Sequence, residues 1–526
     1  MALGSTLFPI IAHARAGALG RAKAMFAEAG LERVDDDPAV LSVKGRLLKD
    51  EALAAKGREQ KRLYKESARA YARAGAIDHA SYPLINAATL SLLAGERAES
   101  QRLARGILAT DAEEAETPYW QAATRAEAHL LLGDIEAAKT SLKDAVACAP
   151  EAYEDHASTL RQFGLILDAL HENKQWLDAF RPPRSLHFAG HMALATARSA
   201  LEREIRNRIA EERIGYGYGA LAAGADILIA EALVETGAEL HLILPARAEA
   251  FRAASVARCG AAWAKRFDAV AERASSVRAV GHADHALSPL AIRLAAGVAM
   301  GSAVMQAEML MTEAVQLLIL DRKTGAQSAK SASGAIARAW RESGRRQHVL
   351  TMPRLKRNAR APRRAERTER LAAMLRIDGG GMGADEFAKH VLPRVAQILA
   401  ASPGPAVAPR WTGEAVVAAF DTPAAAAEAA LALAVSLKNR AELRIAGAYG
   451  IARLAEDPFG GKPFLAGGAA GMPAQILLST ADSAIHVTED FAAALCAGPA
   501  AGRPRVEFIG EMPADGDPIR LFSLKR

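Results

Sequence analysis

The hydrophobic period of this chain changes once, at Arg181-Pro182-Pro183-Arg184, and that change limits what it can fold into. Before the Pro-Pro step, apolar residues recur at helical spacing in glycine-punctuated segments with almost no β-branched alternation, so residues 1–180 are expected to be all helix. After it, short apolar runs alternate with amphipathic helical stretches: Ser185 to Ala189, Asp226 to Thr236, Glu239 to Leu244, Val277 to Val280, Val315 to Leu320 and Gln347 to Thr351. That alternation predicts a parallel α/β sheet over residues 181–352. A basic segment, residues 353–370, then precedes a third region, residues 371–526. Its pattern predicts α+β structure, with strands Arg370 to Ile377, Ala415 to Phe420, Arg444 to Ile451, Gln475 to Ser479 and Pro518 to Leu524. Helices Ala384 to Ala400 and Pro423 to Leu437 complete it.

Charge supports the same division. The whole chain carries 66 basic and 60 acidic residues, a formal +6. Eight Lys/Arg and two Glu between Pro353 and Arg370 account for all of that excess, and the rest of the chain is neutral in sum. One basic link, without interleaved aromatics, reads as a charged linker and argues against nucleic acid or an anionic membrane as a partner. The three cysteines, Cys148, Cys259 and Cys496, are too few and too scattered for a disulfide framework or a zinc module, which fits a reducing cytosol. No basic segment precedes the apolar start, and Asp226, Glu231, Arg293 and Glu308 interrupt the longest apolar runs, so a cytoplasmic protein is expected.

Within the helical part, Tyr119 to Pro150 has the small, large, small and stop positions of a tetratricopeptide unit at Ala138, Leu142, Ala145 and Pro150, after a Gly133-Asp134 turn. Weaker echoes predict three or four stacked hairpins presenting a concave surface to a protein partner. In the middle region a strand ends at Gly190-His191, and the run Gly215-Tyr216-Gly217-Tyr218-Gly219 through Gly224 to Asp226 reads as a glycine turn entering a helix. Such a turn lets backbone N–H groups approach a phosphate. The candidate nucleotide-binding residues are therefore Gly190, His191, Gly215, Gly217, Gly219, Gly224 and Asp226. His282-Ala283-Asp284-His285 has metal-ligand residue types at tight spacing but lacks further ligands, and reads as a solvated loop.

Gly215 to Leu233 with Gly237 to Pro245 resembles SLOG-superfamily Rossmann-like domains, which bind or process nucleotides. More specifically, the chain resembles bacterial proteins joining a tetratricopeptide region, this domain and a class III nucleotidyl cyclase homology domain. Gly45 to Asp50 and Tyr82 to Leu90 are similar to the helical region those proteins share with apoptosis-signalling kinases. The resemblance implies a ferredoxin-like cyclase fold for the last region, with Asp378 at the first metal position and Glu414 standing where the second metal Asp is usual. Class III chemistry also needs an Asn and an Arg to stabilise the pentavalent phosphorus, and the matching stretch Gly467 to Gln475 has neither. The expectation is a signalling protein that binds a nucleotide without turning it over, with Mg²⁺ required only if the cyclase site works. The resemblance also implies a homodimer through the cyclase-like part. The rival expectations are an active or partner-complemented cyclase, or a SLOG-type nucleotide hydrolase.

Overall fold

The computed structural model describes residues 3–15, 19–110, 116–192, 194, 199–280, 287–321, 332–353, 368–438, 440–458, 462–514 and 518–525. Two compact units divide the chain: residues 1–182 with 309–311, and residues 183–308 with 312–526.

The first unit is helical throughout its described residues. Its helices run Leu3–Arg15, Leu19–Glu28, Pro38–Ala54, Gly57–Asp78, Ser81–Ala94, Arg97–Ala109, Pro118–Leu132, Ile135–Cys148 and Tyr153–Leu170. Their boundaries follow local chemistry. Asp37, Thr117 and Asp134 accept an N–H from the first turn, and Gly95 and Gly133 close helices in the left-handed conformation. The expected repeat unit is present as the hairpin Pro118–Leu132/Ile135–Cys148, with Ala138, Leu142 and Ala145 buried in its seam.

The second unit holds two sheets. The first has six parallel strands: β1 (Arg184–Gly190), β2 (Ile214–Gly219), β3 (Glu239–Leu244), β4 (Ser276–Ala279), β5 (Ala314–Leu320) and β6 (Gln347–Thr351). Their order is β4-β3-β2-β1-β5-β6, so chain direction across the sheet reverses between β1 and β5. The second sheet comprises β7 (Glu369–Asp378), β8 (Pro405–Trp411), β9 (Val416–Phe420), β10 (Arg444–Glu456), β11 (Pro463–Ala466), β12 (Ile485–Thr488), β13 (Arg505–Met512) and β14 (Ile519–Lys525). The order β13-β14-β12-β10-β7-β9-β8 is antiparallel except at β10/β12, and β11 pairs with β10. Alternation along β7 sends Ala373, Leu375 and Ile377 to the core under helices Pro423–Leu437 and Glu489–Cys496, and Ala372 and Met374 to the opposite face.

Four local readings change. Ile214–Gly219 is a strand: Tyr216 and Tyr218 alternate with glycines, and a Cβ at Gly215, Gly217 or Gly219 would meet Pro183, Leu233 or Phe188, so close packing explains the glycines. Asp226 to Thr236 forms the helix Ala225–Glu235, buried on nearly all sides, which erases its helical period. Gln475 to Ser479 is not a strand, because helix Met472–Leu477 covers its start. Pro393 divides the expected Ala384 to Ala400 helix into Ala384–His390 and Leu392–Ala401.

The helix Glu489–Cys496 ties the two sheets together. At its first turn, Arg278 of β4 donates to Asp490 Oδ1 (2.7 Å) and lies 3.5 Å from Glu489 Oε2. At its other end Arg345 donates to the carbonyls of Cys496, Ala497 and Gly498, and Arg503 to that of Cys496 while also pairing with Glu308 at 2.6 Å. Cations at a C-terminus complement the exposed carbonyls and the helix dipole. Helix Pro289–Met309 packs so closely here that a Cβ on Gly301 would run into the Ala493 carbonyl. That helix is long and apolar enough to cross a membrane, despite Arg293 and Glu308, and just over half of its apolar window is buried against the protein.

Candidate functional site

In an open parallel sheet, the crevice for a ligand lies at the carboxyl ends of the two strands where the order reverses. Here these are β1 and β5, and β1 ends at Gly190. A Cβ on Gly190 would collide with Ala225 and lie 2.9 Å from the Ile319 carbonyl, so only glycine lets the helix Ala225–Glu235 start against this strand end. Gly224 precedes that helix at φ +118°, a conformation open to glycine, and pairs with Met192 across a short bridge. Four of the expected residues, Gly190, His191, Gly224 and Asp226, therefore come together. Gly219 ends the neighbouring strand, while Gly215 and Gly217 lie farther back along it.

The electrostatics of this cluster are unusual. Asp226 is buried, and its Oδ2 accepts the Ala222 N–H at 3.1 Å while Oδ1 has no hydrogen-bond partner. Burial pushes its carboxyl up to about 7, with the amides of Ala222 and Gly190 opposing the rise; the Gly190 amide lies close without reaching hydrogen-bond geometry. Other loop amides are also committed: Ala223 N–H donates to the Ser255 carbonyl (3.2 Å) and Ala225 N–H to that of His191 (3.4 Å). The His191 ring lies between two carbonyl oxygens, Met352 O at 2.8 Å and Met192 O at 3.1 Å, so a neutral ring donates to one of them. The amides of Ala222, Ala223 and Ala225 are thus already used within the protein.

At the second candidate site, Asp378 and Arg444 are direct cross-strand partners on β7 and β10. Arg444 Nε and Nη2 reach Asp378 Oδ1 and Oδ2 at 2.9 and 2.8 Å, a forked pair, and Oδ1 also accepts the Gly380 N–H. The hydrogen bond to Asp378 raises the Arg444 pKa. Glu414 is exposed in the turn between β8 and β9, which Thr412 and Ala415 close. The β7/β9 register brings that turn to the same sheet end as Asp378. These donors do not fit a magnesium site: both Asp378 oxygens hold a guanidinium, and among the described residues no three His, Cys, Asp or Glu gather at one point. The cyclase-matching stretch after β11 is a single 3-10 turn, Gly468–Ala470, and the six-residue helix Met472–Leu477. His282 to His285 and residues 354–367 of the basic segment lie outside the described residues.

Sequence reasoning missed the Arg444 partnership, because nothing local to Asp378 indicates which strand will lie beside it.

A family model described as Tetratricopeptide Repeats-Sensor matches residues 9–91. Residues 9–91 of the helical unit are of this type. Comparison with curated proteins gives no match. Similar solved structures include the adenylyl cyclase CyaB from P. aeruginosa, 11% identical over 31% of this chain and 97% of that one, with a TM-score of 0.27. Another is the guanylate cyclase domain of RhGC from Catenaria anguillulae in complex with GTP, 11% identical over 30% of this chain and 97% of that one, with a TM-score of 0.25. Adenylate cyclases from Trypanosoma brucei in their monomeric state are 13% identical over 29% of this chain and 87% of theirs, at 0.24.

Proposed function

We propose that this is a regulatory protein that binds a nucleotide and does not turn it over. A Rossmann-like domain of the SLOG type receives the ligand, a cyclase-like domain supplies structure, and the helical repeats engage a protein partner. The observation that carries the loss of turnover is the forked Arg444–Asp378 pair, which occupies the carboxylate the resemblance assigns to metal. The missing Asn and Arg in Gly467 to Gln475 support it, since each preorganised donor lost from a phosphoryl-transfer site costs about a hundredfold to a thousandfold in rate. The nucleotide is assigned to the crevice beyond the carboxyl ends of β1 and β5, where the strand order reverses. The β2 glycines serve packing in this reading. The test is to incubate the whole chain with pooled nucleotides and Mg²⁺, then measure thermal stabilisation and new products together. Stabilisation without cyclic product or released base is expected. Cyclic product that disappears in Asp378→Asn, or no stabilisation by any nucleotide, overturns the proposal.

A further inference from the structure

Parallel strands all begin at one end of a sheet, so β3 and β4 start at the end opposite the crevice assigned to the nucleotide. Three polar side chains meet there: Glu239, the first residue of β3, His241 two residues on, and Ser276, the first residue of β4. Residues two apart on a strand share a face, and the β3/β4 register sets His241 beside Ser276. Ser276 Oγ lies 2.9 Å from His241 Nδ1, and Glu239 Oε2 lies 3.6 Å from His241 Nε2. Tyr218, the β2 partner of His241, is buried and stacks on the imidazole with ring centroids 4.8 Å apart, which fixes the plane of the ring. Ser276 and Glu239 are exposed and β4 is the outermost strand, so this group is open to solvent on one side.

The three side chains have complementary chemistry. A carboxylate facing Nε2 favours the ring proton on that nitrogen, which leaves Nδ1 to accept the Ser276 hydroxyl. Burial, and after it the positive charge of Arg520, lower the His241 pKa, so at neutral pH the ring is uncharged and able to take a proton. The backbone supplies a donor for the charge that attack by the serine would create. The Ser275 N–H donates to the Leu240 carbonyl of β3 at 2.8 Å. Successive amides along a strand point to opposite sides, so the Ser276 N–H faces the free edge, where among the described residues no further strand pairs with β4. Two adjacent strands thus assemble a nucleophile, a base in hydrogen-bond contact with it, a group that orients the base and an amide beside the nucleophile.

We propose that Ser276 is a nucleophile for acyl transfer that hydrolyses activated carboxylic esters, with His241 as its base and Glu239 as the positioning residue. His241 Nδ1 takes the hydroxyl proton as Ser276 Oγ bonds to the acyl carbon, and the carbonyl oxygen carries the negative charge toward the Ser276 N–H. Collapse breaks the bond to the leaving oxygen, which receives the proton from His241. Water then gives a proton to the same ring and attacks the acyl-serine; the carboxylic acid leaves, and the proton returns to Ser276. The site is separate from the nucleotide crevice and does not depend on it.

The test treats the whole chain with p-nitrophenyl acetate and, separately, with an alkyl fluorophosphonate, following nitrophenolate release and locating the covalent adduct by mass spectrometry of peptides. The adduct is expected on Ser276, and ester hydrolysis should fall about a hundredfold or more in Ser276→Ala and in His241→Gln, the usual worth of a positioned base. Glu239→Gln should lower kcat about twofold to fivefold with KM unchanged, as the loss of an exposed ion pair allows. Ser276 and Glu239 are exposed, so their replacements should keep the unfolding midpoint of the protein. No adduct on Ser276, or hydrolysis that Ser276→Ala retains, overturns the proposal, and an adduct that forms equally fast in His241→Gln overturns the role of the base. Nucleotide stabilisation should be the same in Ser276→Ala, which keeps failure here distinct from failure at the crevice.

Discussion

Asp226 and Asp378 make an instructive pair. Both lie at the ends of central strands in the same unit and both were expected at a nucleotide or metal site, yet the fold treats them in opposite ways. Asp378 sits at a strand end where its cross-strand neighbour is an arginine, and both of its oxygens receive a guanidinium. Asp226 sits one residue inside a helix start, sealed by Gly190, Ala225 and the returning loop, with one amide on one oxygen. Sheet register decides whether a cation can reach a buried carboxylate, and here it brings Arg444 to Asp378 and, among the described residues, no cation to Asp226.

Asp226 gives the largest expected effect. Its folded-state pKa, about 7, is above its ordinary 3.8, so its contribution to stability is fully present below about pH 4 and is lost as pH rises through 7. The difference corresponds to roughly 4 kcal/mol. Urea unfolding of the intact chain between pH 4 and 8.5 should show that decline, and Asp226→Asn should flatten it; parallel curves for the two proteins would break the contrast. Next, Arg444→Met should cost about 2 to 3 kcal/mol, since it strands a largely buried carboxylate. Adding Asp378→Asn should recover most of that loss, and a double-mutant cycle without coupling would show the fork to be idle.

Smaller effects sharpen the picture. Gly217→Val should cost about 1 to 2 kcal/mol by pressing on Leu233, and calorimetry should find nucleotide affinity unchanged in the folded fraction. Reduced affinity at full folding would return Gly217 to the ligand. Glu414→Ala, in an exposed turn, should change the unfolding free energy by less than about 0.5 kcal/mol.

The helical unit, five of the six strands of the first sheet and four of the eight of the second could be read from hydrophobic period. Val315 to Leu320, for example, is a β-rich apolar run and forms the fully buried β5. Reading failed where glycine hid a strand: in Ile214–Gly219 every second position lacks a side chain because Pro183, Leu233 and Phe188 fill that space, a tertiary fact with no local mark. The helix Glu489–Cys496 did carry a signal that went unread, Thr488 capping the Phe491 N–H ahead of two acids. At the sites, Gly190 and Asp226 were expected on separate grounds, a strand end and a glycine turn entering a helix, and only the fold brings them together. Arg444 could not be foreseen, because it lies 66 residues from Asp378 and only strand pairing makes them neighbours.

The arginines around Glu489–Cys496 have a practical consequence. Severing the chain between the sheets would leave the C-terminal piece with Glu489 and Asp490 deprived of Arg278, and with the Ala497 and Gly498 carbonyls deprived of Arg345. The excised C-terminal piece should then fray at this helix and expose Phe491 and Leu495, so assays on it alone would report on a damaged protein.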